Sequence, residues 1–388
     1  NNVITALSAL VIIIFFIPYT ASGFAACGKL FNSLFGINYQ VAMMLSALLI
    51  VGYTITGGFN AVCVTDLVQS IVMTGALAIV LIYGISRAGG WTAVMDNAAA
   101  LPGYLSLTST FDVASGSEVK YNFLTIFSTA AWGLGYFGMP HILVRFMAIE
   151  DEKKLVLSRR IASVWVVIAM TAGVLIGIVG LGMTKAGALD TLTGSNSETI
   201  IVRIAGIISQ HNALTALIAG IILAGILAAT MSTADSQMLA AASGVSQNIV
   251  HDFLKIKISE KTNLLIARLT IVGIAIVSIF LARNPDSSVF KIVSFAWAGF
   301  GGAFGAVVLC SLFWKRCNLA GAIAGIISGG ATVFIWKYLV RPLGGILDIY
   351  ELLPAFIVSL IFIIVVSLLT KAPDEEIVRE FEAAGKKA

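Results

Sequence analysis

Oxygen-bearing side chains are concentrated at one point inside a long apolar segment. Ser232, Thr233, Asp235 and Ser236 lie within five positions, far from either end of the apolar run. Helical spacing brings Ser232, Asp235 and Ser236 to one face, with Thr233 beside them. Hydroxyl and carboxylate oxygens are the ligands that alkali and alkaline-earth cations prefer. The cluster therefore predicts a cation or polar pathway. The alternative is that the hydroxyls bond to carbonyls one turn earlier and only pack helices.

A second carboxylate, Asp66, lies a few residues inside another apolar segment, in the sequence TDLVQ that begins at Thr65. A charged side chain at bilayer depth costs about 2.5–3.5 kcal/mol on insertion scales. Such residues usually face a cavity or a partner. Asp66 and Asp235 are therefore both candidate functional residues.

The segment Trp132–Pro140 (WGLGYFGMP) combines three glycines with a proline inside an apolar run. Its glycines match G-x-G-x-x-G, but no strand precedes them and the flanks are apolar, which argues against nucleotide binding. The proline removes a helical hydrogen bond and frees a carbonyl. Broken helices of this kind line transporter binding sites, so the segment predicts either such a break or a simple kink. Another glycine-rich stretch, Ala296–Gly305, indicates close helix packing or a flexible gate.

The elements that carry these residues belong to a very apolar chain. Of its 388 residues, 59% are hydrophobic and 11% charged, and the mean hydropathy is +0.98. Soluble domains carry about 25% charged residues, so the composition indicates a polytopic helical membrane protein. The net charge of +4 without a basic stripe argues against nucleic-acid binding. The cysteines are expected to be buried small hydrophobes, and the histidines lie too far apart in sequence to form a ligand set.

About ten membrane spans are predicted, each near the length of about 20 apolar residues that a crossing needs. Their approximate limits are 3–27, 40–57, 62–86, 121–148, 158–184, 212–250, 262–283, 288–315, 318–340 and 351–370. The segment 212–250 is expected to be one long helix, because it holds no proline and no turn signal. A short amphipathic helix is expected around 198–210, in one of the long loops.

The charge distribution predicts the orientation. Most of the 24 Lys and Arg residues, Arg145 among them, are assigned to loops on the side of the C-terminus. Both ends of the chain are therefore expected in the cytoplasm. Residues 1–370 are predicted to form one transmembrane domain and 371–388 a cytoplasmic tail. Because the chain runs from Asn1 directly into an apolar segment without a signal peptide, it is expected to begin inside a longer protein.

Four blocks of this sequence resemble the sodium:solute symporter family, and its proline-type branch closely. They are Gly57–Val62 with Thr65, Asp66 and Gln69, Trp132–Arg145 (WGLGYFGMPHILVR), Ala228–Thr233, and Ala296–Gly305. The resemblance implies an all-α polytopic membrane protein with a five-plus-five inverted-repeat core. It also implies that about three spans are missing before residue 1, including the first core helix. A chain without that helix is not expected to transport by itself.

The resemblance also implies site residues. In the family, sodium is held by an alanine carbonyl and two hydroxyls, which correspond here to Ala229, Ser232 and Thr233. A second cation site in some relatives corresponds to Asp66, Asp235 and Ser236, although Asp235 stands where relatives carry a hydroxyl. The expected solute-binding residues are Trp132, Tyr136, Met139 and Pro140, with Met139 replacing a glutamine of the proline type.

The function that the resemblance implies is sodium-coupled import of a small solute by alternating access, with L-proline as the expected solute. Sodium is the coupling ion, and no organic cofactor or enzymatic activity is expected. One alternative keeps the family but changes the solute to another amino acid, pantothenate, a carboxylate or a sugar. A remote alternative is a membrane enzyme or sensor built on a transporter-like core. A bacterial cytoplasmic membrane is the expected location, and the oligomeric state stays open.

Overall fold

The computed structural model describes residues 2–387, without the side chains of Asn60, Lys386 and Lys387. Ala388, the last residue of the predicted tail, therefore lies outside the described residues. The elements in chain order are α1 (Asn2–Phe35), α2 (Tyr39–Phe59), α3 (Ala61–Arg87), α4 (Trp91–Ala99), β1 (Ser109–Asp112), β2 (Ser117–Lys120), α5 (Phe123–Ala130), α6 (Trp132–Gly135), α7 (Pro140–Met147), α8 (Lys154–Lys185), α9 (Ile200–Ser209), α10 (Ala213–Phe253), α11 (Glu260–Ala282), α12 (Val289–Phe313), α13 (Leu319–Leu343), α14 (Leu352–Leu369) and α15 (Glu375–Lys387).

Nine helices of the described chain are long and apolar enough to cross a membrane: α1, α2, α3, α8 and α10 to α14. The all-helical polytopic architecture that the sequence predicts is thus confirmed, and α10 is a single long helix. The loop helix expected around 198–210 is present as α9.

The predicted span 121–148 is divided into α5, α6, a 3₁₀ turn over Tyr136–Gly138, and α7. Met139 interrupts the helical path with an extended backbone (φ −80°, ψ 107°), and Pro140 follows at the first turn of α7. Proline is favoured there because its missing N–H would have no helical partner. The broken-helix interpretation of the sequence is therefore confirmed, and the simple kink is not observed.

A sharp bend separates α2 from α3. Gly58 adopts φ 66° and ψ 179°, a conformation that side-chain-bearing residues rarely adopt. This explains the paired glycines at 57 and 58 in one of the family-like blocks. The bend is sharp enough to bring the Tyr53 hydroxyl of α2 into contact with the Thr65 hydroxyl of α3. Asp66 follows, about one turn inside α3.

The centre of the bundle is α1, which packs against α2, α10, α11 and α12. Aromatic side chains fill this core, and Phe15, Phe16, Phe24 and Phe300 are all at most 1% exposed. Because lipid is as apolar as this core, such rings stabilise the bundle mainly by van der Waals packing. A second apolar cluster joins α3, α8, α9 and α10 around Val80, Val179, Ile204 and Ile222, each fully buried.

The two faces of the bundle differ in their loops. One face carries the long connections 88–122 and 186–212 and is called the hairpin face, because β1 and β2 pair there as an antiparallel hairpin. The other face, where α14 ends and the charged α15 follows, is called the tail face. The hairpin was not predicted from the sequence, because its strands are short and lack a buried face; Ser117–Lys120 is exposed throughout.

Candidate functional site

The three residues of the predicted sodium site bring their oxygens together on one turn of α10. The Ser232 hydroxyl donates to the Ala229 carbonyl over 3.2 Å, and the Thr233 hydroxyl donates to the same oxygen over 3.1 Å. Ala229 and Thr233 line a cavity of about 280 Å³ that also borders Tyr19 and Gln237. These are the back-bonds expected of a packing role. The same geometry presents a carbonyl and two hydroxyls at one point beside a cavity.

The predicted second cation site contains an additional residue, Arg145. Its guanidinium forms an ion pair with Asp66 of α3 and donates to the Ser236 hydroxyl of α10 over 3.0 Å. It also donates to the His141 carbonyl over 2.9 Å, which fixes its direction along α7. The assignment of Arg145 to a loop is therefore wrong. Arg145 lies within α7, because the helix resumes at Pro140 and continues to Met147.

Three acceptor oxygens of α3 and α10 are buried without a hydrogen-bond partner in the part of the chain that the structure describes: Asp66 Oδ1, Gln69 Oε1 and Asp235 Oδ2. Asp235 is fully buried and lies within electrostatic range of both Asp66 and Arg145. Buried acceptors are nearly always satisfied in folded proteins. The cluster therefore holds two carboxylates against one guanidinium, with free oxygens. The sequence did not indicate Gln69 as a site residue; it appeared there only as the last residue of the TDLVQ motif.

The broken helix presents its aromatic residues to α12. The ring of Trp132 stacks on Trp297 with centroids 5.2 Å apart, and Tyr136 meets the same ring edge-on at 4.8 Å. Phe290 and Tyr350 also stack near Trp132, at 5.6 and 5.8 Å. Trp132 is thus held within an aromatic column, whereas Tyr136 remains 43% exposed.

The predicted solute-binding residues do not all reach a cavity. Trp132 lines a cavity of about 480 Å³ toward the hairpin face, together with Phe290 and Tyr350. Pro140 lines another, of about 640 Å³, toward the tail face, together with His141 and Arg145. Met139 is fully buried in the main core between them. The break therefore separates two cavities, and the side chain of Met139 contributes to packing.

A polar connection joins three elements at the hairpin face. Glu198 accepts from Lys29 of α1 over 2.9 Å and from the Ser288 hydroxyl over 2.8 Å. It also accepts from the backbone N–H groups of Val289 and Phe290, the first residues of α12. Partial burial alone would raise the pKa of Glu198, but these donors together hold that pKa below its ordinary value. A carboxylate at a helix N-terminus is also favoured by the helix dipole.

The fold and the site together define a class. A helical membrane bundle with a discontinuous helix between two cavities, and with polar residues at membrane depth beside it, has the features of a membrane transporter. The chain matches the sodium:solute symporter family over residues 1–329, and it belongs to that family.

Several relatives are similar over nearly the whole chain. The osmoregulated proline transporter OpuE of Bacillus subtilis is 39% identical over 381 residues, which are 98% of this chain and 74% of that protein. The sodium/proline symporter of Staphylococcus aureus is 37% identical over 379 residues, with 96% and 71% covered. A solved outward-open, substrate-bound structure of a Na⁺-coupled sialic acid symporter aligns with a TM-score of 0.73 at 19% identity, covering 95% of this chain and 75% of that one. This last likeness supports the fold alone.

Proposed function

We propose that this protein couples sodium entry to the import of L-proline. The observation that carries the proposal is the similarity, at 37–39% identity over nearly the whole chain, to transporters whose names specify proline. The structure adds the discontinuous helix with its aromatic residues, which is the element a transporter of this fold uses to hold solute. Proline offers an apolar ring, which the partly exposed ring of Tyr136 suits by its own apolar face, with Trp132 beside the break.

Sodium binds, in this proposal, at Ala229, Ser232 and Thr233. One carbonyl and two hydroxyl oxygens converge there without a thiolate or imidazole, a donor set that suits a hard cation. Three oxygens are fewer than such a cation requires, so further ligands must come from elsewhere in the protein or from water. The cluster of Asp66, Asp235 and Ser236 is proposed as a second cation site, in which the guanidinium of Arg145 already supplies one positive charge.

Alternating access is proposed to act at the broken helix. Trp132 and Pro140 lie on opposite sides of the break and line different cavities, one toward each face of the bundle. A solute held at the break is thus adjacent to a route in either direction. Coupling then requires sodium to bind more tightly to the state that binds solute. Solute must in turn raise the affinity for sodium by the same factor by which sodium raises the affinity for solute.

The proposed location is the cytoplasmic membrane of a bacterium, with the tail face in the cytoplasm. Lysines and arginines at the tail-face ends of the helices support this orientation, among them Lys153, Arg160, Lys261 and Lys315. The assignment does not depend on Arg145, which lies in the membrane domain. On this orientation, the hairpin and Glu198 face the outside.

The test is uptake of labelled L-proline into proteoliposomes that contain the protein as its gene encodes it. An inward sodium gradient is compared with a matched potassium gradient. Uptake that requires sodium supports both the solute and the coupling ion. Equal uptake in the two conditions, abolished by collapse of a proton gradient, would reject sodium as the driving ion.

Absence of uptake by a folded protein would reject proline instead. A panel of other amino acids, pantothenate, carboxylates and sugars then identifies the solute, first by uptake and then by competition. Because Met139 is buried in the core, differences in solute choice are expected to follow Trp132, Tyr136 and their neighbours rather than residue 139.

A further inference from the structure

We propose that Trp297 of α12 is a positioning residue that sets the shape of the solute site by holding Trp132 and Tyr136. The inference rests on the proposed function, since it concerns the site where solute is expected to bind. Trp297 lies in the glycine-rich stretch Ala296–Gly305, for which the sequence alone indicates only packing or a gate.

One indole ring contacts both aromatic residues of the broken helix. Trp297 is 6% exposed and stacks on Trp132 with an interplanar angle of 16°, while Tyr136 meets it at 83°. Stacked and edge-to-face pairs each contribute about 0.5–1.5 kcal/mol beyond burial. Because the two contacts use the same ring, they fix Trp132 and Tyr136 relative to each other.

Trp297 also bonds to the backbone beside the break. Its indole N–H donates to the Trp132 carbonyl over 3.0 Å. In an unbroken α-helix that carbonyl would accept from the N–H of Tyr136. Here the Tyr136 N–H bonds to the Gly133 carbonyl instead, as the helix tightens toward the 3₁₀ turn. The indole therefore bonds to a backbone carbonyl in the last helical turn before the break, and stabilises that conformation.

The fit of Trp297 is tight enough to restrict its neighbour. A Cβ at Gly135 would lie 2.0 Å from the indole nitrogen of Trp297. Because Phe290 and Tyr350 also stack near Trp132, a solute has little access to the faces of that ring. Tyr136 remains partly exposed, with Trp297 behind it. Trp297 therefore acts through Trp132 and Tyr136. Because it lies directly behind the exposed ring of Tyr136, it limits the size of the solute ring that fits against that side chain.

The test compares Trp297→Phe with Trp165→Phe. Both changes keep an aromatic ring and remove an indole N–H bond of 3.0 Å, but Trp165 bonds to Thr74 between α8 and α3, away from the site. Backbone hydrogen exchange is measured first over 131–139. Exchange there is expected to rise about 2- to 12-fold in Trp297→Phe, the equivalent of one lost hydrogen bond, and to stay unchanged in Trp165→Phe.

Sodium-dependent uptake then measures the effect on solute. In Trp297→Phe the KM for proline is expected to rise about 2- to 12-fold, because the N–H is lost while stacking remains. In Trp297→Ala the rise is expected to exceed tenfold, and the six-membered-ring homologue of proline should compete better relative to proline. The sodium concentration for half-maximal uptake should change less than twofold in both variants. A general loss of structure would move the sodium dependence and kcat as well.

Two results would overturn the inference. One is exchange over 131–139 that is the same in Trp297→Phe and Trp165→Phe. The other is a ring-size preference that Trp297→Ala leaves unchanged. Failure of the wild-type protein to take up proline contradicts the proposed function instead. The exchange measurement still tests Trp297 in that case, and uptake is repeated with the solute that the panel identifies.

Discussion

The charge balance around Arg145 predicts an order of stability among three variants. Two carboxylates, Asp66 and Asp235, lie within electrostatic range of one guanidinium, so with both carboxylates ionised the cluster carries one excess negative charge. Asp66→Asn removes that excess and leaves Arg145 with Asp235. Arg145→Gln leaves two facing carboxylates without a cation. The double variant returns to a single carboxylate with no cation. Arg145→Gln is therefore expected to be the least stable of the three.

The size of each stability change follows from Coulomb's law at a separation typical of charge clusters. Two like charges about 4–6 Å apart repel by roughly 3–4 kcal/mol at an effective dielectric constant of 20. Removing one partner of a buried pair costs about 3–5 kcal/mol, but the side chain of Arg145 is 37% exposed, which lowers the cost. We expect Arg145→Gln to cost about 2–4 kcal/mol and Asp66→Asn about half of that. Adding Asp66→Asn to Arg145→Gln should restore about 1–2 kcal/mol.

The assay is thermal unfolding of the purified variants in one detergent, in choline chloride and in sodium chloride. Choline, a bulky quaternary ammonium ion, replaces sodium in the first condition, so that condition reports the charge cluster without a small cation. The reasoning is refuted if the double variant is less stable than Arg145→Gln, since relief of repulsion must then be absent. It is equally refuted if Asp66→Asn is the least stable, because Asp235 would then not share the guanidinium.

Three further predictions concern single sites. Ser232→Ala should raise the sodium concentration for half-maximal uptake several-fold while protein levels stay normal. Ser311→Ala, which removes a similar hydroxyl-to-carbonyl bond on α12, should leave that concentration unchanged. Equal loss of uptake and protein in Ser232→Ala would contradict the proposed sodium site. Gly138→Ala should lower the free energy of unfolding by about 1–3 kcal/mol, because its Cβ would lie 2.3 Å from the Phe300 carbonyl oxygen. Gly133→Ala, whose Cβ would meet open space, should leave the unfolding temperature unchanged or raise it. The depressed pKa of Glu198 means that its contacts stabilise the fold above the ordinary pKa of glutamate and are lost as pH falls through the lower folded pKa. The wild-type advantage over Glu198→Gln in unfolding temperature should therefore disappear at acid pH, and a constant difference would contradict that assignment.

The sequence predicted the features that depend on local composition. Apolar runs of sufficient length gave the long helices, and the glycines and proline of Trp132–Pro140 gave the break, because hydropathy and helix propensity act over neighbouring residues. The bend at Gly58 and the hairpin at 109–120 were not predicted. The first depends on a single backbone angle, and the second on polar residues with no alternating pattern.

The predicted site residues came from a different source. Ser232 and Thr233 stood out in the sequence as part of an oxygen-rich cluster, and the resemblance added Ala229 and the role of sodium ligands. The oxygens of all three converge on one turn of α10. Arg145 was misplaced because the direction of its side chain depends on where the helix resumes after the break. The contacts of Trp297 join two segments more than 150 residues apart, and a single sequence has no local signal for such pairs.

The two glycine-rich stretches of the sequence form the two sides of one contact. A Cβ at Gly135 would meet Trp297, a Cβ at Gly138 would meet the backbone of Phe300, and a Cβ at Gly301 would come within 2.8 Å of the Cα of Gly135. Close packing, rather than a loose gate, therefore explains the small residues of α12. The break cannot move relative to α12 without losing these contacts and the indole bond to the Trp132 carbonyl. Because packed contacts of this kind have discrete arrangements rather than a continuous range, rearrangement at the solute site must include α12 as well as the broken helix.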